Sequence, residues 1–361
     1  MKRSEPLDGL RGLAVLLVLL SHASNRGHDV LPGLDARGVG RSGVFLFFVL
    51  SSYLLTSQVL GRLDAGERVG WGRFAARRFL RVMPAYALCL GVYVALGAMD
   101  AGVALRHVAL VRSEAHFWTI PVEVLFYLSL PLIGLALARL PGVLPRIFAL
   151  TTVAVLVRAA YPPDFPAKAP DFVPNVLPFL PIFLVGSALA VVAPAIARIA
   201  ATPAGGRALA VLGGTATLGL LALTPSVWEA ISGHPVPHRR FHLWFDAFAL
   251  LWAVVLAASA LPARSLLRGI VSVWPLRALG WISYSAYLLH EVCLAWADEE
   301  LAGRVAPALV GPLFLGLTVA AGTASFTLVE RPFLGLLRSR GDARLAGGAT
   351  TERTTGDATN G

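Results

Sequence analysis

"LDGLRGLAVLLVLLSHAS", residues 7–24, is an apolar run with Arg11 near one end and His22 near the other. At about 100° per residue, eleven residues come to roughly 20° past three full turns, so both side chains fall on one helix face. Along the axis they stand about 16.5 Å apart. An ionisable side chain at membrane depth costs about 2.5–3.5 kcal/mol, and this run keeps two. Taken singly, Arg11 fits an anchor at the cytoplasmic boundary and His22 an interfacial histidine. The rest of the chain has to decide whether they belong together.

Composition makes the bilayer the solvent. Of 361 residues, 56% are hydrophobic and 14% charged, with a mean hydropathy of +0.69. A soluble domain carries about 25% charged residues. The net charge of +10 does not point to nucleic acid, because the arginines sit in short stretches between apolar segments, as membrane topology requires. Cys89 and Cys293 both lie in apolar runs and read as buried thiols rather than a disulfide framework. Lys2 and Arg3, an apolar run and Ser21-His22-Ala23 imitate a secretory signal. Asp8 and Arg11 interrupt that run and further apolar segments follow, so it reads as a retained first transmembrane helix.

Stretches of about 20 apolar residues fall near 9–27, 42–60, 83–99, 117–138, 146–163, 174–194, 207–225, 243–262, 278–297 and 307–330. The expected fold is therefore all-α, a polytopic membrane protein of about ten transmembrane helices. With the amino end inside, the inner segments hold 21 of the 31 Lys and Arg residues, which places both termini in the cytoplasm. Residues 1–335 form the membrane domain, and 336–361, rich in Gly, Thr, Ala and charge, read as a disordered tail. No internal repeat and no second soluble domain is evident.

Three further stretches keep polar residues among apolar ones. In "RFAARRFLRVMPAY", Arg78 and Arg81 are neighbours on one helical face ahead of Pro84, placed either to set topology or to hold phosphates and anionic headgroups. In "HFWTIPVEVLFYLSLPL", Glu123 lies inside an apolar helix with Tyr127 one turn on, so it is paired, protonated or working. In "ISYSAYLLHEV", Ser283, Tyr287 and His290 form one polar stripe, suited either to interhelical packing or to a site. A metal site is not expected: His234, His238 and His242 have metal-like spacing, but Pro235 and Pro237 break the helix that would align them, and no Cys or carboxylate lies between.

Together, "LDGLRGLAVLLVLLSH", "GVFLFFVLSSYLL", "RRFLRVMP", "FWTIPVEVLFYLSLPL", "ISYSAYLLH" and "VERPF" resemble, in order, the motifs of the acyltransferase family 3 membrane proteins. The likeness is strong in the first 135 residues and the last 60. It implies a multi-pass O-acyltransferase of a bacterial cytoplasmic membrane, moving an acyl group, acetyl above all, from acyl-coenzyme A to a hydroxyl. The resemblance places the family's arginine–histidine pair on Arg11 and His22, its paired arginines on Arg78 and Arg81, its helix-four glutamate on Glu123, and its late tyrosine and histidine on Tyr287 and His290. Coenzyme A is a donor substrate here; no permanently bound cofactor is implied. The chain departs from the family at Ser51-Ser52, where Ser-Gly is common, and loses a residue that permits close helix approach. Its middle, "PNVLPFLPIFLVGSALA", lacks charged positions found in many relatives.

On this reading His22 is the general base or acyl relay, oriented by Glu123 or Tyr287, while Arg11, Arg78 and Arg81 bind the donor's phosphates. The acceptor is a cell-envelope sugar or a secondary metabolite such as a macrolide. The rival is a transporter or flippase for a lipid-linked sugar, which predicts repeat symmetry and broken helices in matched positions.

Overall fold

The computed structural model describes residues 4–30, 33–161, 175–234, 245–262 and 265–335. They form an all-α bundle: α1 (Glu5–Asn25), α2 (Gly40–Asp64), α3 (Trp71–Ala95), α4 (Ala101–Val108), α5 (Thr119–Arg139), α6 (Val143–Ala160), α7 (Leu180–Ala200), α8 (Pro203–Ala222), α9 (Pro225–Ser232), α10 (Phe245–Ala260), α11 (Leu266–Val271), α12 (Trp274–Trp281), α13 (Ser283–Glu300) and α14 (Pro307–Ser325). A 3-10 turn, Ala115–Trp118, leads into α5, and a π turn, Phe326–Glu330, follows α14. The tail from 336, along with His238 and His242, lies outside the described residues.

Nine of the ten expected spans each fall on one helix, and the ninth falls across two, α12 and α13. Eight are long and apolar enough to cross a membrane. The other two positions hold α10, of 16 residues, and α13, of 18, which carries Glu291, Asp298, Glu299 and Glu300. α6 and α8 are only 6% and 11% buried, so their apolar side chains face outward, as lipid contact requires. Cys89 and Cys293 are buried free thiols.

Two boundaries differ from expectation. The third span was expected from residue 83, with the arginines in the preceding loop; α3 begins at Trp71 and carries Pro84 in its interior. A proline removes one ladder bond but does not force a stop where neighbours hold the helix. Arg78 and Arg81 therefore stand on α3 itself. The ninth span, expected over 278–297, is broken at Ile282, with α12 on one side and α13 on the other.

α1 lies at the centre and touches α12 through glycine. A Cβ on Gly12 would come 1.9 Å from the Leu276 carbonyl oxygen, and one on Gly280 1.8 Å from that of Asp8. Backbone meets backbone, which only glycine allows. The loss of glycine at Ser51-Ser52 is met from the other side: a Cβ on Gly186 of α7 would lie 2.0 Å from Ser52 Oγ. Ser52 is fully buried, and its hydroxyl donates to the Phe48 carbonyl at 2.8 Å. We expect Gly280→Val to lower the melting temperature of the protein in detergent by an overpacking cost of about 3 kcal/mol or more. Gly91→Ala, in α3 with open space around it, should be neutral or stabilising by up to about 1 kcal/mol; equal effects would refute the seam.

α1 ends by a two-bond cap. Gly27 adopts φ +79°, its N–H donates to the Ser24 carbonyl at 3.0 Å, and the His28 N–H donates to the Ala23 carbonyl at 2.9 Å. This left-handed C-cap folds Arg26 and His28 back over the end of α1, beside α13.

Candidate active site

Two polar centres stand at opposite ends of α1. Near its start, Arg11 joins Arg77, Arg78 and Arg81 of α3 around a cavity of about 320 Å³. Glu123 and Tyr127 of α5, Ser51 of α2, and Ser283, Tyr284 and Tyr287 at and beyond the start of α13 complete the polar wall; Phe47, Phe48, Leu54 and Leu55 form an apolar one. Leu334, near the end of the described chain, lines the same cavity, so both ends of the described chain lie at one end of the bundle. Four guanidinium groups face one carboxylate, which makes the cavity strongly cationic.

Several of these side chains are held in place. Arg11 Nη1 donates to Asp8 Oδ1 at 3.4 Å, and the other oxygen of Asp8 accepts from Trp281 Nε1 at 3.1 Å. Ser51 Oγ donates to Glu123 Oε1 at 2.7 Å. The Arg78 guanidinium lies 5.9 Å from the centre of the Tyr127 ring, with its Nε buried and lacking a hydrogen-bond partner. Such planar, fixed cations suit phosphate oxygens.

At the other end of α1, His22 Nδ1 pairs with Glu291 Oε1 of α13. The second oxygen of Glu291 accepts from Arg26 Nη2 at 2.8 Å. With Nδ1–H committed to the carboxylate, His22 keeps Nε2 as a free lone pair, and its side chain remains 30% exposed. A histidine whose inner nitrogen is fixed by a carboxylate is the arrangement of a general base.

Behind His22, two buried histidines form a ladder. The His290 ring lies 4.7 Å from that of His22 and 4.8 Å from that of His116. His290 Nδ1–H donates to the Tyr287 carbonyl at 2.6 Å, and His116 Nε2–H donates to the Leu288 carbonyl at 3.1 Å. Their other nitrogens, His290 Nε2 and His116 Nδ1, are buried without hydrogen-bond partners. The turn delivering His116 carries positive φ at Leu110 (+59°) and Ala115 (+47°), a strain that persists only where the surroundings impose it.

Tyr287 joins the two centres. It lines the arginine cavity, its hydroxyl donates to the His116 carbonyl at 2.6 Å and accepts from Thr119 Oγ1 at 3.0 Å, and its ring centre is 5.6 Å from that of His290. The stripe Ser283, Tyr287, His290 thus runs along α13 from the cavity to His22.

The structure brings Arg11, Arg78, Arg81, Glu123 and Tyr287 to one cavity and His22 with His290 to the other centre. It corrects one assignment: neither Glu123 nor Tyr287 orients His22. The Glu123 carboxylate faces Ser51 in the arginine cavity, and the Tyr287 hydroxyl is occupied by His116 and Thr119. Glu291 holds that position. It was missed although it follows His290 directly in "LLHEV"; the rule that flagged Glu123, a carboxylate in an apolar span, applies to it equally. Arg77 and His116 also lay unremarked inside quoted stretches. His22, His290 and Glu291 offer donor atoms within 4.8 Å of one another, a grouping that could hold a metal ion. Both oxygens of Glu291 already accept from side chains, so the group is built first as a hydrogen-bonded pair. Glu330 of "VERPF" is buried and accepts from Ser285 Oγ at 2.6 Å, which ties the end of α14 to α13.

Fold and site define an all-α, multi-pass membrane protein with a cationic cavity at one end of its central helix and a carboxylate-held histidine at the other. The acyltransferase domain family matches residues 5–327, and the chain belongs to that family. It is 26% identical over 364 residues to a Bacillus subtilis protein provisionally named a peptidoglycan O-acetyltransferase, a match covering 90% of this chain and 54% of that one. It is 28% identical over 359 residues to a peptidoglycan O-acetyltransferase of Listeria monocytogenes, covering 90% and 55%. A Komagataeibacter xylinus protein provisionally named a membrane-bound transacylase is 27% identical over 363 residues, covering 91% and 82%. The chain therefore spans about half the length of the first two relatives. No solved structure matches it.

Proposed function

We propose that this chain moves an acyl group, acetyl first, from acyl-coenzyme A at the cytoplasmic face of a bacterial membrane to a hydroxyl of a cell-envelope sugar. The observation that carries the reading is the pairing of four arginines around one cavity with a His–Glu pair at the far end of the same helix. A donor with phosphates at one end and a thioester at the other fits that separation. The relatives named for peptidoglycan O-acetylation favour a sugar over a secondary metabolite as acceptor.

In this scheme Arg11, Arg78 and Arg81, with Arg77, hold the phosphates, and the pantetheine arm runs along the Tyr287 stripe. The acceptor hydroxyl gives its proton to His22 Nε2 as its oxygen attacks the thioester carbonyl carbon. The C–S bond breaks, coenzyme A leaves as thiolate, and the imidazolium returns the proton to it. Glu291 holds the ring in the productive tautomer and stabilises the imidazolium.

The donor half is tested by coenzyme A binding to purified protein in detergent. A charge-assisted hydrogen bond contributes about 1.5–3 kcal/mol, so Arg78→Ala and Arg81→Ala should each raise the dissociation constant roughly tenfold to a hundredfold. Unchanged binding in both would remove the cavity as the donor site.

A further inference from the structure

Glu291 is not the end of the chain of charges behind His22. Arg26 Nη2 donates to Glu291 Oε2 at 2.8 Å, while its Nη1 meets Asp298 Oδ2. The other oxygen of Asp298 meets His28 Nε2 at 2.5 Å. His22, Glu291, Arg26, Asp298 and His28 thus form one unbroken line of ionisable side chains from the base towards the surface. The glycine cap of α1 is what folds Arg26 and His28 into it. No reading of the sequence singled out Arg26, His28 or Asp298.

We propose that Arg26 is a positioning residue for the acyl-transfer reaction: by holding one oxygen of Glu291, it aims the other at His22, and its charge, set against Asp298, tunes the pH at which His22 serves as base. The inference rests on the reading of His22 as that base. A carboxylate with one partner can rotate about its last torsion; one gripped on both oxygens cannot, and the tautomer of His22 follows from that grip. Arg26 also adds a positive charge next to the carboxylate that would otherwise favour a charged imidazole most strongly.

The groups around His22 come from several elements. Glu291 and His290 face it from α13, and His116 stands one ring further, ahead of α5. Arg26, Asp298 and His28 act through Glu291. Of these, Arg26 and Asp298 carry opposite charges on one line, which gives a test of sign. The protonated base is inactive, so the acidic limb of the rate profile marks its titration. Removing the cation at Arg26 stabilises the imidazolium and moves that limb to higher pH. Removing the anion at Asp298 moves it to lower pH.

The experiment follows acetyl-coenzyme A thioester turnover by the full chain in detergent between pH 5 and about 9, for wild type, Arg26→Gln, Arg26→Lys and Asp298→Asn, with coenzyme A affinity measured alongside. Arg26→Gln should lower kcat about tenfold or more with unchanged coenzyme A affinity, and move the acidic limb to higher pH. Arg26→Lys should restore the limb to its wild-type position, and Asp298→Asn should shift it down. If Arg26→Gln and Asp298→Asn move the limb in the same direction, or neither moves it, Arg26 is a structural clip and the proposal fails. Should Arg26→Gln not fold, the opposed behaviour of Asp298→Asn against a wild-type-like Arg26→Lys still decides. His22→Ala run in parallel separates the two levels: turnover that survives it overturns the base itself, whereas turnover lost there with flat responses at Arg26 and Asp298 overturns only the positioning role.

Discussion

His22→Ala is expected to reduce acetyl-coenzyme A thioester turnover by about 10²- to 10⁴-fold, the range of a lost general base, while coenzyme A binding stays within a factor of two or so of wild type. The separation is the informative part. His22 lies at the end of α1 opposite the arginine cavity, so its removal should spare the donor's phosphates and stop the chemistry. The measurement is radiolabelled acetyl-coenzyme A turnover by purified, folded protein. Turnover equal to wild type would take His22 out of the mechanism. Failure of both proteins to bind coenzyme A, with donor chain length varied, would instead favour a carrier of a lipid-linked sugar.

Glu291→Gln should come second in size, with kcat down by about 10²-fold or more and coenzyme A affinity unchanged. Glutamine nearly keeps the shape of glutamate but removes the charge that stabilises the imidazolium, and its amide can present a donor where Nδ1–H needs an acceptor. It also leaves Arg26 with Asp298 as its one remaining carboxylate partner among the described residues. Glu123→Gln is the informative contrast. It sits in the arginine cavity against Ser51 and should act on donor affinity rather than on turnover at saturating donor. If Glu123→Gln and Glu291→Gln had the same kinetic signature, the division of the site into a donor end and a chemical end would be wrong.

Much of this was legible in the sequence. Hydropathy alone put nine of the ten expected spans each on one helix and the remaining one on the α12–α13 pair, because a span of about 20 apolar residues has few other uses. The 3.6-residue period put Arg11 and His22 on one face, and the structure places Arg11 at the cavity and His22 against Glu291. What the sequence could not show was partnership. Glu123 and Glu291 are both carboxylates in apolar helices, and nothing local says which one meets His22. That depends on how α13 and α5 lie relative to α1 in the folded bundle, which no local stretch of sequence states. The start of α3 was misplaced because Pro84 reads as a stop from sequence, although a bundle can hold a helix through it. Arg26 and His28 were invisible for a related reason: a Gly27 cap decides their direction, and its bonds turn the chain only once α1 exists.

The glycine seam of α1 also sets a timetable. Its partner is 273 residues away, measured from Asp8 to the Trp281 that bonds it. At roughly 5–20 residues per second of synthesis, the first helix waits about 15–55 s before that partner is made. For that interval a bare glycine stripe and an intramembrane arginine face lipid, or whatever guards nascent helices there. Quality control of this protein should therefore fall early, on a helix that is born first and matched last.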